Sequence, residues 1–179
     1  MELSFGQRFD TQNGLVQPWF THSALDELQM IDLSGKVIVE YGAGLGDSWL
    51  SKRCRKLHVI ERNIDWYNTC QLANDGSIDY HFRPCDDCTG KDEYYTAMPN
   101  GIEPDVVIVD DAYRYECIVK ALTLKRPIIL IVDNWMQDYV FMCPAAEELL
   151  ASFEKHIHLQ ADHRDHSGHP WQTLIAFIK

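Results

Sequence analysis

The chain has 179 residues, of which 46% are hydrophobic and 24% are charged, and these fractions are typical of one ordinary soluble domain with a proper core. Its 27 acidic residues outnumber the 16 basic ones and give a net charge of −11, which argues against nucleic acid or an anionic membrane as the main partner. A small neutral or basic substrate fits this charge better, no apolar run is long enough to span a bilayer, and a homo-oligomer is left open. The first residues lack the basic segment and apolar core of a secretory signal, so we expect a cytoplasmic protein whose six cysteines are reduced thiols.

The order of the predicted elements indicates the fold class. Residues 1–20 are typical of a loop, and helices are predicted over residues 23–30, 47–55, 65–73, 92–98, 115–125 and 144–153. Apolar runs predict seven strands, over residues 36–41, 57–60, 78–82, 105–110, 127–132, 157–161 and 173–178. This alternation predicts an α/β fold, a Rossmann-like doubly wound sheet that is mostly parallel and has helices on both faces. We expect a single domain over residues 1–179, with residues 1–34 as an N-terminal extension and helix that pack on the core.

A glycine turn follows the first predicted strand, with glycines at positions 42, 44 and 46. Glycine lets a backbone approach a ligand closely, but the dinucleotide fingerprint would place its third glycine at position 47, where Asp47 stands. Glu40 and Asp47 would repel a pyrophosphate and attract a cation. S-adenosylmethionine (SAM) carries an ammonium and a sulfonium and no phosphate. Glu61 ends the second predicted strand, where an acid can accept hydrogen bonds from a ribose diol.

In these motifs the chain resembles the class I SAM-dependent methyltransferases. The resemblance rests on Glu40-x-Gly42-x-Gly44-x-Gly46, residues 59–63, residues 105–110 and residues 128–133. It implies an antiparallel last strand and a cofactor site at the carboxyl ends of the strands. The residues implied to hold the cofactor are Glu40, Gly42, Ala43, Gly44, Gly46, Ser48, Glu61, Arg62, Asp86 and Asp110. The alternative is a Rossmann-like domain that keeps the turn for packing and binds nothing.

The loops after the fourth and fifth predicted strands supply the candidate catalytic residues, which are Asp110, Arg114, Asp133 and Asn134. Asp110, Asp133 and Asn134 carry the oxygen ligands that Mg²⁺ prefers, and they resemble the metal-dependent O-methyltransferases of the catechol type. That family has a lysine where Tyr113 stands. Residues 110–117 resemble, over a longer stretch, a less characterised methyltransferase-like group that reads Asp-Gly-x-x-Arg-x-x-Cys and does not require metal. In either case Arg114 pairs with Asp110 or Asp133 to orient the rim, or it binds substrate.

Several other motifs permit two interpretations. Cys85-x-x-Cys88 with His163, His166 and His169 fits a zinc site weakly, and the histidine loop is equally consistent with a solvated hairpin turn. Trp19, Trp66 and Trp135 either wall a pocket or belong to the core, the commoner place for aromatic residues.

The function that the sequence favours is a SAM-dependent methyltransferase acting on the oxygen or nitrogen of a small-molecule acceptor. One alternative is a catalytically silent nucleoside-binding or accessory module of the same fold. Another is the divalent-metal-dependent O-methyltransferase. A dinucleotide oxidoreductase is disfavoured by Asp47.

Overall fold

The computed structural model describes residues 8–85, 94, 98–124, 126–135, 151, 155–164 and 170–178. For residues 155–164, 170 and 171 only the backbone is described. The strands are β1 (Phe9–Asp10), β2 (Leu15–Val16), β3 (Val37–Tyr41), β4 (Lys56–Glu61), β5 (Ile78–Phe82), β6 (Val106–Val109), β7 (Ile128–Val132), β8 (Lys155–Arg164) and β9 (Pro170–Ile178). The helices are α1 (His22–Met30), α2 (Asp47–Ser51), α3 (Ile64–Ala73) and α4 (Arg114–Leu122). The helices predicted over residues 92–98 and 144–153 fall largely outside the described residues.

Seven strands form one sheet in the order β5-β4-β3-β6-β7-β9-β8. Strands β3 to β7 pair in parallel, whereas β9 runs antiparallel to β7 and β8 runs antiparallel to β9. The predicted Rossmann-like α/β sheet, mostly parallel with an antiparallel last strand, is confirmed. The continuous apolar runs of the parallel strands are buried, as expected for strands covered on both faces.

Helices cover both faces of the sheet. On one face, Leu25 and Leu28 of α1 and Trp49 of α2 join a core cluster with sheet residues. On the other face, Cys117 and Ile118 of α4 do the same. Among the described residues, no helix is long and apolar enough to cross a membrane.

Several local predictions differ from the structure. The last two strands are longer than predicted, since β8 covers Lys155–Arg164 and β9 covers Pro170–Ile178. Residues 8–20 are not all loop, because β1 and β2 pair in a short hairpin whose turn contains Gly14 at φ 72°. The helix predicted over 47–55 stops at Ser51, because the chain turns towards β4, where the backbone N–H of Arg55 donates to the carbonyl of Lys36 at 2.9 Å. Helix α4 ends at Leu122, and not at residue 125.

The sheet register places the site. Tyr41 pairs with Ile60 of β4 and with Val109 of β6, and Val109 in turn pairs with Val132 of β7. The carboxyl ends of four neighbouring strands therefore meet at one edge of the sheet, where doubly wound folds bind ligands.

Candidate functional site

Two of the three glycines in the turn after β3 are required by packing. Gly42 has φ 97°, and a Cβ there would lie 2.4 Å from the carbonyl oxygen of Asp110. A Cβ at Gly46 would lie 2.5 Å from the backbone of Pro18. Gly44 differs, because its Cβ would meet nothing closer than Asp47 Oδ1 at 3.5 Å, an ordinary contact. The missing side chain of Gly44 therefore leaves space on the ligand side of the turn.

Two buried carboxylates hold this turn in shape. Glu61 Oε2 accepts a hydrogen bond from the backbone N–H of Ala43 at 2.8 Å, and Oε1 accepts from that of Asn63 at 2.6 Å. Asp47 Oδ1 accepts from the N–H of Gly44 at 2.8 Å, and Oδ2 accepts from the hydroxyl of Tyr80 at 2.8 Å. Glu61 thus joins the glycine turn to the loop after β4 and uses both oxygens to do so, and a ribose diol would have to use their second lone pairs.

A cavity of about 240 Å³ opens beside the turn. Its lining combines acids, aromatic rings and the turn backbone: Pro18, Trp19, Glu40, Ala43, Gly44, Leu45, Gly46, Asp47, Trp66 and Asp110. Trp66 donates its indole N–H to the carbonyl of Ala43 and is 37% exposed, so its ring stands at the cavity and is not a core side chain.

Glu40 is the acid of this cavity that has an unsatisfied oxygen. Its side chain is buried, yet Oε2 has no hydrogen-bond partner among the described residues. Burial, followed by the charges of Asp47 and Asp110, raises the pKa of Glu40 well above its ordinary value. A buried polar atom without a partner is costly, so this oxygen favours a donor or a cation arriving in the cavity.

The two other acids of the cavity are perturbed in the same direction. Burial raises the pKa of Asp47 from 3.8 to about 7, against the lowering effect of its hydrogen bonds to Tyr80 and Gly44. Burial and the nearby charge of Asp133 raise the pKa of Asp110 well above its ordinary value. Three carboxyl groups whose ionisation is unfavourable therefore face one cavity, which a cationic ligand would relieve.

Of the four predicted catalytic residues, Asp110 lines the cavity, and the other three, Arg114, Asp133 and Asn134, are not among its lining residues. Asp110 Oδ1 lies 3.6 Å from a guanidinium nitrogen of Arg114. Arg114 Nε donates to the carbonyl oxygen of Asp133 at 2.9 Å, a contact that suits the rim-orienting role, and both roles expected of Arg114 stay predictions. Asp133 is only 5% exposed, and Oδ1 accepts from the hydroxyl of Thr173 at 2.7 Å. Asn134 has a left-handed backbone with φ 51°.

Four of the predicted cofactor residues that the structure describes are not among the residues that line the cavity: Gly42, Ser48, Glu61 and Arg62. Arg62 pairs with Asp111, with Nε 3.2 Å from Oδ1, and the hydroxyl of Tyr94 donates to Oδ2 of the same aspartate at 2.8 Å. Ser48 lies in α2, where its carbonyl accepts from the hydroxyl of Ser51 at 3.0 Å. Asp86, Cys88, His166, His169 and the side chain of His163 lie outside the described residues.

No protein-family model and no curated protein matches the sequence. Solved structures do match the fold. The O-methyltransferase TomG from Streptomyces achromogenes, in complex with SAM, aligns with a TM-score of 0.61 and 20% identity over 87% of this chain and 77% of its own. An O-methyltransferase from Bacillus cereus in complex with S-adenosylhomocysteine (SAH) gives 0.64 and 16% over 87% and 78%. The precorrin-8w decarboxylase of Methanobacterium thermoautotrophicum gives 0.58 and 15% over 98% and 99%.

The chain has the class I methyltransferase fold. At these identities the likeness concerns the fold alone. The matched proteins are named for different reactions, methyl transfer and decarboxylation, so the fold does not identify the reaction. The fold therefore indicates at which edge of the sheet a ligand would bind. The chemistry has to be inferred from the side chains at that edge.

The described side chains do not support a bound metal ion. Within the part of the chain that the structure describes, no three His, Cys, Asp or Glu side chains lie close enough together to hold a metal ion. The Mg²⁺ site expected at Asp110, Asp133 and Asn134 also meets a geometric obstacle, because a cation there would compete with the guanidinium of Arg114 for Asp110 and with Thr173 for Asp133.

Sequence reasoning missed Pro18 and Leu45 as cavity residues. Leu45 lies between two glycines that were singled out, so its place in the turn was a usable signal. Pro18 had no such signal, because its contact with Gly46 brings together residues that are 28 positions apart.

Proposed function

We propose that this chain binds SAM in the cavity beside the glycine turn and transfers its methyl group to an oxygen or nitrogen of a small molecule. The observation that carries the proposal is the buried Glu40 Oε2, which lines that cavity and lacks a hydrogen-bond partner among the described residues. The SAM-bound and SAH-bound O-methyltransferases of the same fold support it as analogies.

The residues present fit this cofactor. Glu40, Asp47 and Asp110 supply negative charge for the ammonium and sulfonium groups, and among the described residues no basic side chain lines the cavity to attract a phosphate. Gly44 leaves room for close approach, and Trp66 offers an aromatic surface at the entrance. SAM would supply an electrophilic methyl group, and the protein has to align the acceptor with it and remove the acceptor's proton.

Asp110 is the residue that we assign to proton removal. Its carboxyl lies in the cavity wall at the end of β6, and its raised pKa makes it a stronger base than an exposed aspartate. Arg114, 3.6 Å away, limits this rise and favours the ionised form of the carboxyl. A hydroxyl of the acceptor would give its proton to Asp110 as its oxygen attacks, whereas an ammonium would give its proton to Asp110 before its nitrogen attacks. The new bond to the methyl carbon would form as the S–C bond breaks, with SAH as the leaving group.

Isothermal titration calorimetry with SAM, SAH and NAD⁺ tests the binding step. We expect heat with SAM and SAH and none with NAD⁺, because the acids repel a pyrophosphate. Heat with NAD⁺ alone, or with none of the three, would contradict the proposal.

Two glycine variants sharpen the experiment. Gly44→Ala adds a methyl group that meets no protein atom closer than 3.5 Å, at a residue that lines the cavity. Gly35→Ala adds the same methyl group where nothing lies within 4 Å. We expect Gly44→Ala to weaken SAH binding about tenfold or more with little change in stability, and Gly35→Ala to leave affinity unchanged. Equal affinities in the two variants would place the ligand elsewhere.

A second candidate is a binding module without catalysis. It is favoured by the rim, where Asp133 is hydrogen-bonded to Thr173 and Arg114 is tied to the carbonyl of Asp133. This candidate predicts cofactor binding without methyl transfer to any of a broad panel of small hydroxyl and amine acceptors. Transfer to one member of the panel that is lost in Asp110→Asn would favour the methyltransferase.

A further inference from the structure

One wall of the cavity comes from the N-terminal part of the chain. We call residues 17–21 the strap. Pro18 and Trp19 of the strap line the cavity, and Gly46 of the glycine turn packs so tightly on Pro18 that it has no room for a Cβ. Phe20 and Thr21 are each only 1% exposed, so the far end of the strap is anchored in the core. The position of the strap therefore decides the shape of the cavity.

The strap is held by hydrogen bonds that arrive from the far end of the sequence. The backbone N–H of Thr21 donates to Thr173 Oγ1 at 3.0 Å, and the Thr173 hydroxyl donates to Asp133 Oδ1 at 2.7 Å. Their exposed fractions are 1%, 0% and 5%, so water does not compete for these bonds.

We call the two hydrogen bonds from Thr21 to Thr173 and from Thr173 to Asp133 the relay. The direction of donation in the relay is fixed by the groups that form it. A backbone N–H can only donate, so Thr173 has to accept from Thr21 and must point its single hydroxyl hydrogen elsewhere. The acceptor it meets is the oxygen of Asp133 at the end of β7. An acceptor oxygen at position 133 thus sets the orientation of the hydroxyl that captures the strap.

We propose that Asp133 is a positioning residue, which acts through Thr173 to hold the strap against the glycine turn and so shapes the cofactor cavity. The part of this inference that concerns cofactor affinity rests on the proposed function. The role contrasts with the catalytic and metal-ligand roles expected of Asp133, since it needs an acceptor oxygen and not a negative charge.

Three threonine variants of the full chain test the relay. Thr173→Val removes the hydroxyl with little change in shape, Thr173→Ser keeps it, and Thr123→Val is a control that removes an exposed hydroxyl bonded to the carbonyl of Lys120. Amide hydrogen exchange of the ligand-free protein, followed by mass spectrometry, reports on peptides that cover the strap and β4. Calorimetry with SAH reports on the cavity.

We expect Thr173→Val to speed exchange in the strap on the order of tenfold and to weaken SAH binding about fivefold to twentyfold, because two buried hydrogen bonds are lost. Exchange in β4 should not change, Thr173→Ser should restore both readouts, and Thr123→Val should behave like the wild type. Unchanged exchange in the strap would overturn the inference. So would faster exchange with unchanged SAH affinity, since the strap would then not shape the cavity.

A second pair of variants covers the case in which Thr173→Val does not fold. Asp133→Asn keeps an acceptor oxygen and should keep the protection of the strap, whereas Asp133→Ala should lose it. Equal exchange in these two variants would overturn the inference. If the wild type binds no SAH, the proposed function fails, and the exchange measurements alone still decide whether the relay holds the strap.

Discussion

Replacing Asp47 by asparagine should stabilise the ligand-free protein at neutral and alkaline pH. The Asp47 carboxyl is 2% exposed, and burial raises its pKa from 3.8 to about 7. Asparagine retains the shape and an oxygen for the N–H of Gly44, and its amide can donate to the oxygen of Tyr80. The substitution therefore removes a charge that the fold disfavours and keeps both hydrogen-bonded contacts.

The sign and size of the effect follow from proton linkage. A carboxyl whose pKa is raised on folding binds more protons in the folded state than in the unfolded state. Its contribution to the stability of the wild type is therefore fully present below pH 4 and is lost as the pH rises to 7. A shift from 3.8 to about 7 corresponds to roughly 4 kcal/mol at pH 8. Because Glu40 shares the electrostatic cost of the cavity, we expect about 2–4 kcal/mol of added stability in Asp47→Asn at pH 8.

Urea denaturation of both proteins between pH 4 and pH 8 measures this difference. The difference between variant and wild type cancels the groups that do not interact with Asp47, and it includes the release of Glu40 from the charge of Asp47. Asp75→Asn is the matched control, since the ion pair of Asp75 with Lys52 lowers the pKa of this exposed aspartate and gives an effect of opposite sign. A stability difference that does not grow with pH, or an Asp47→Asn protein less stable than the wild type at pH 8, would refute the reasoning.

Two further predictions concern the turn and the sheet edge. Gly42→Ala should cost about 2–4 kcal/mol in urea denaturation, because its Cβ would lie 2.4 Å from the carbonyl oxygen of Asp110 at a positive φ; a cost below 0.5 kcal/mol would contradict the packing argument. His58 and His81, whose ring nitrogens lie 3.3 Å apart, both have their pKa lowered by burial, so folding disfavours their protonation and stability should fall as the pH drops below 6.5. His81→Gln should flatten this loss between pH 7 and pH 5, and an unchanged slope would exclude the pair as its source.

The fold was predictable because its signal is local. The central parallel strands β6 and β7 are continuous apolar runs, and the predicted strand over residues 78–82, although mixed in composition, matches β5 in both bounds. The errors fall where the signal is not local to the element. The end of α2 depends on Arg55 meeting Lys36, and the hairpin before Val16 depends on a turn in a polar segment that has no apolar periodicity.

The site was predictable in part for the same reason. Glu40, Ala43 and Gly44 stand together in the sequence and line the cavity together. The strap was not predictable, because the bond that holds Thr21 joins it to Thr173, 152 positions away. No pattern within one segment encodes such a pair, so it has to be read from the packed structure.

The two glutamates of the site illustrate what the fold adds to the sequence. In sequence, Glu40 and Glu61 are equivalent, since each lies at the carboxyl end of a parallel strand and each was expected to hold the ligand. In the structure the two side chains have different contacts. Glu61 uses one oxygen on the N–H of Ala43 in the glycine turn and the other on the N–H of Asn63 after β4, which supports the turn before any ligand arrives. Glu40, in contrast, keeps an oxygen without a partner among the described residues. A turn that is already ordered costs no further entropy on binding, so the unsatisfied carboxylate of Glu40 can contribute more fully to affinity for a cationic ligand.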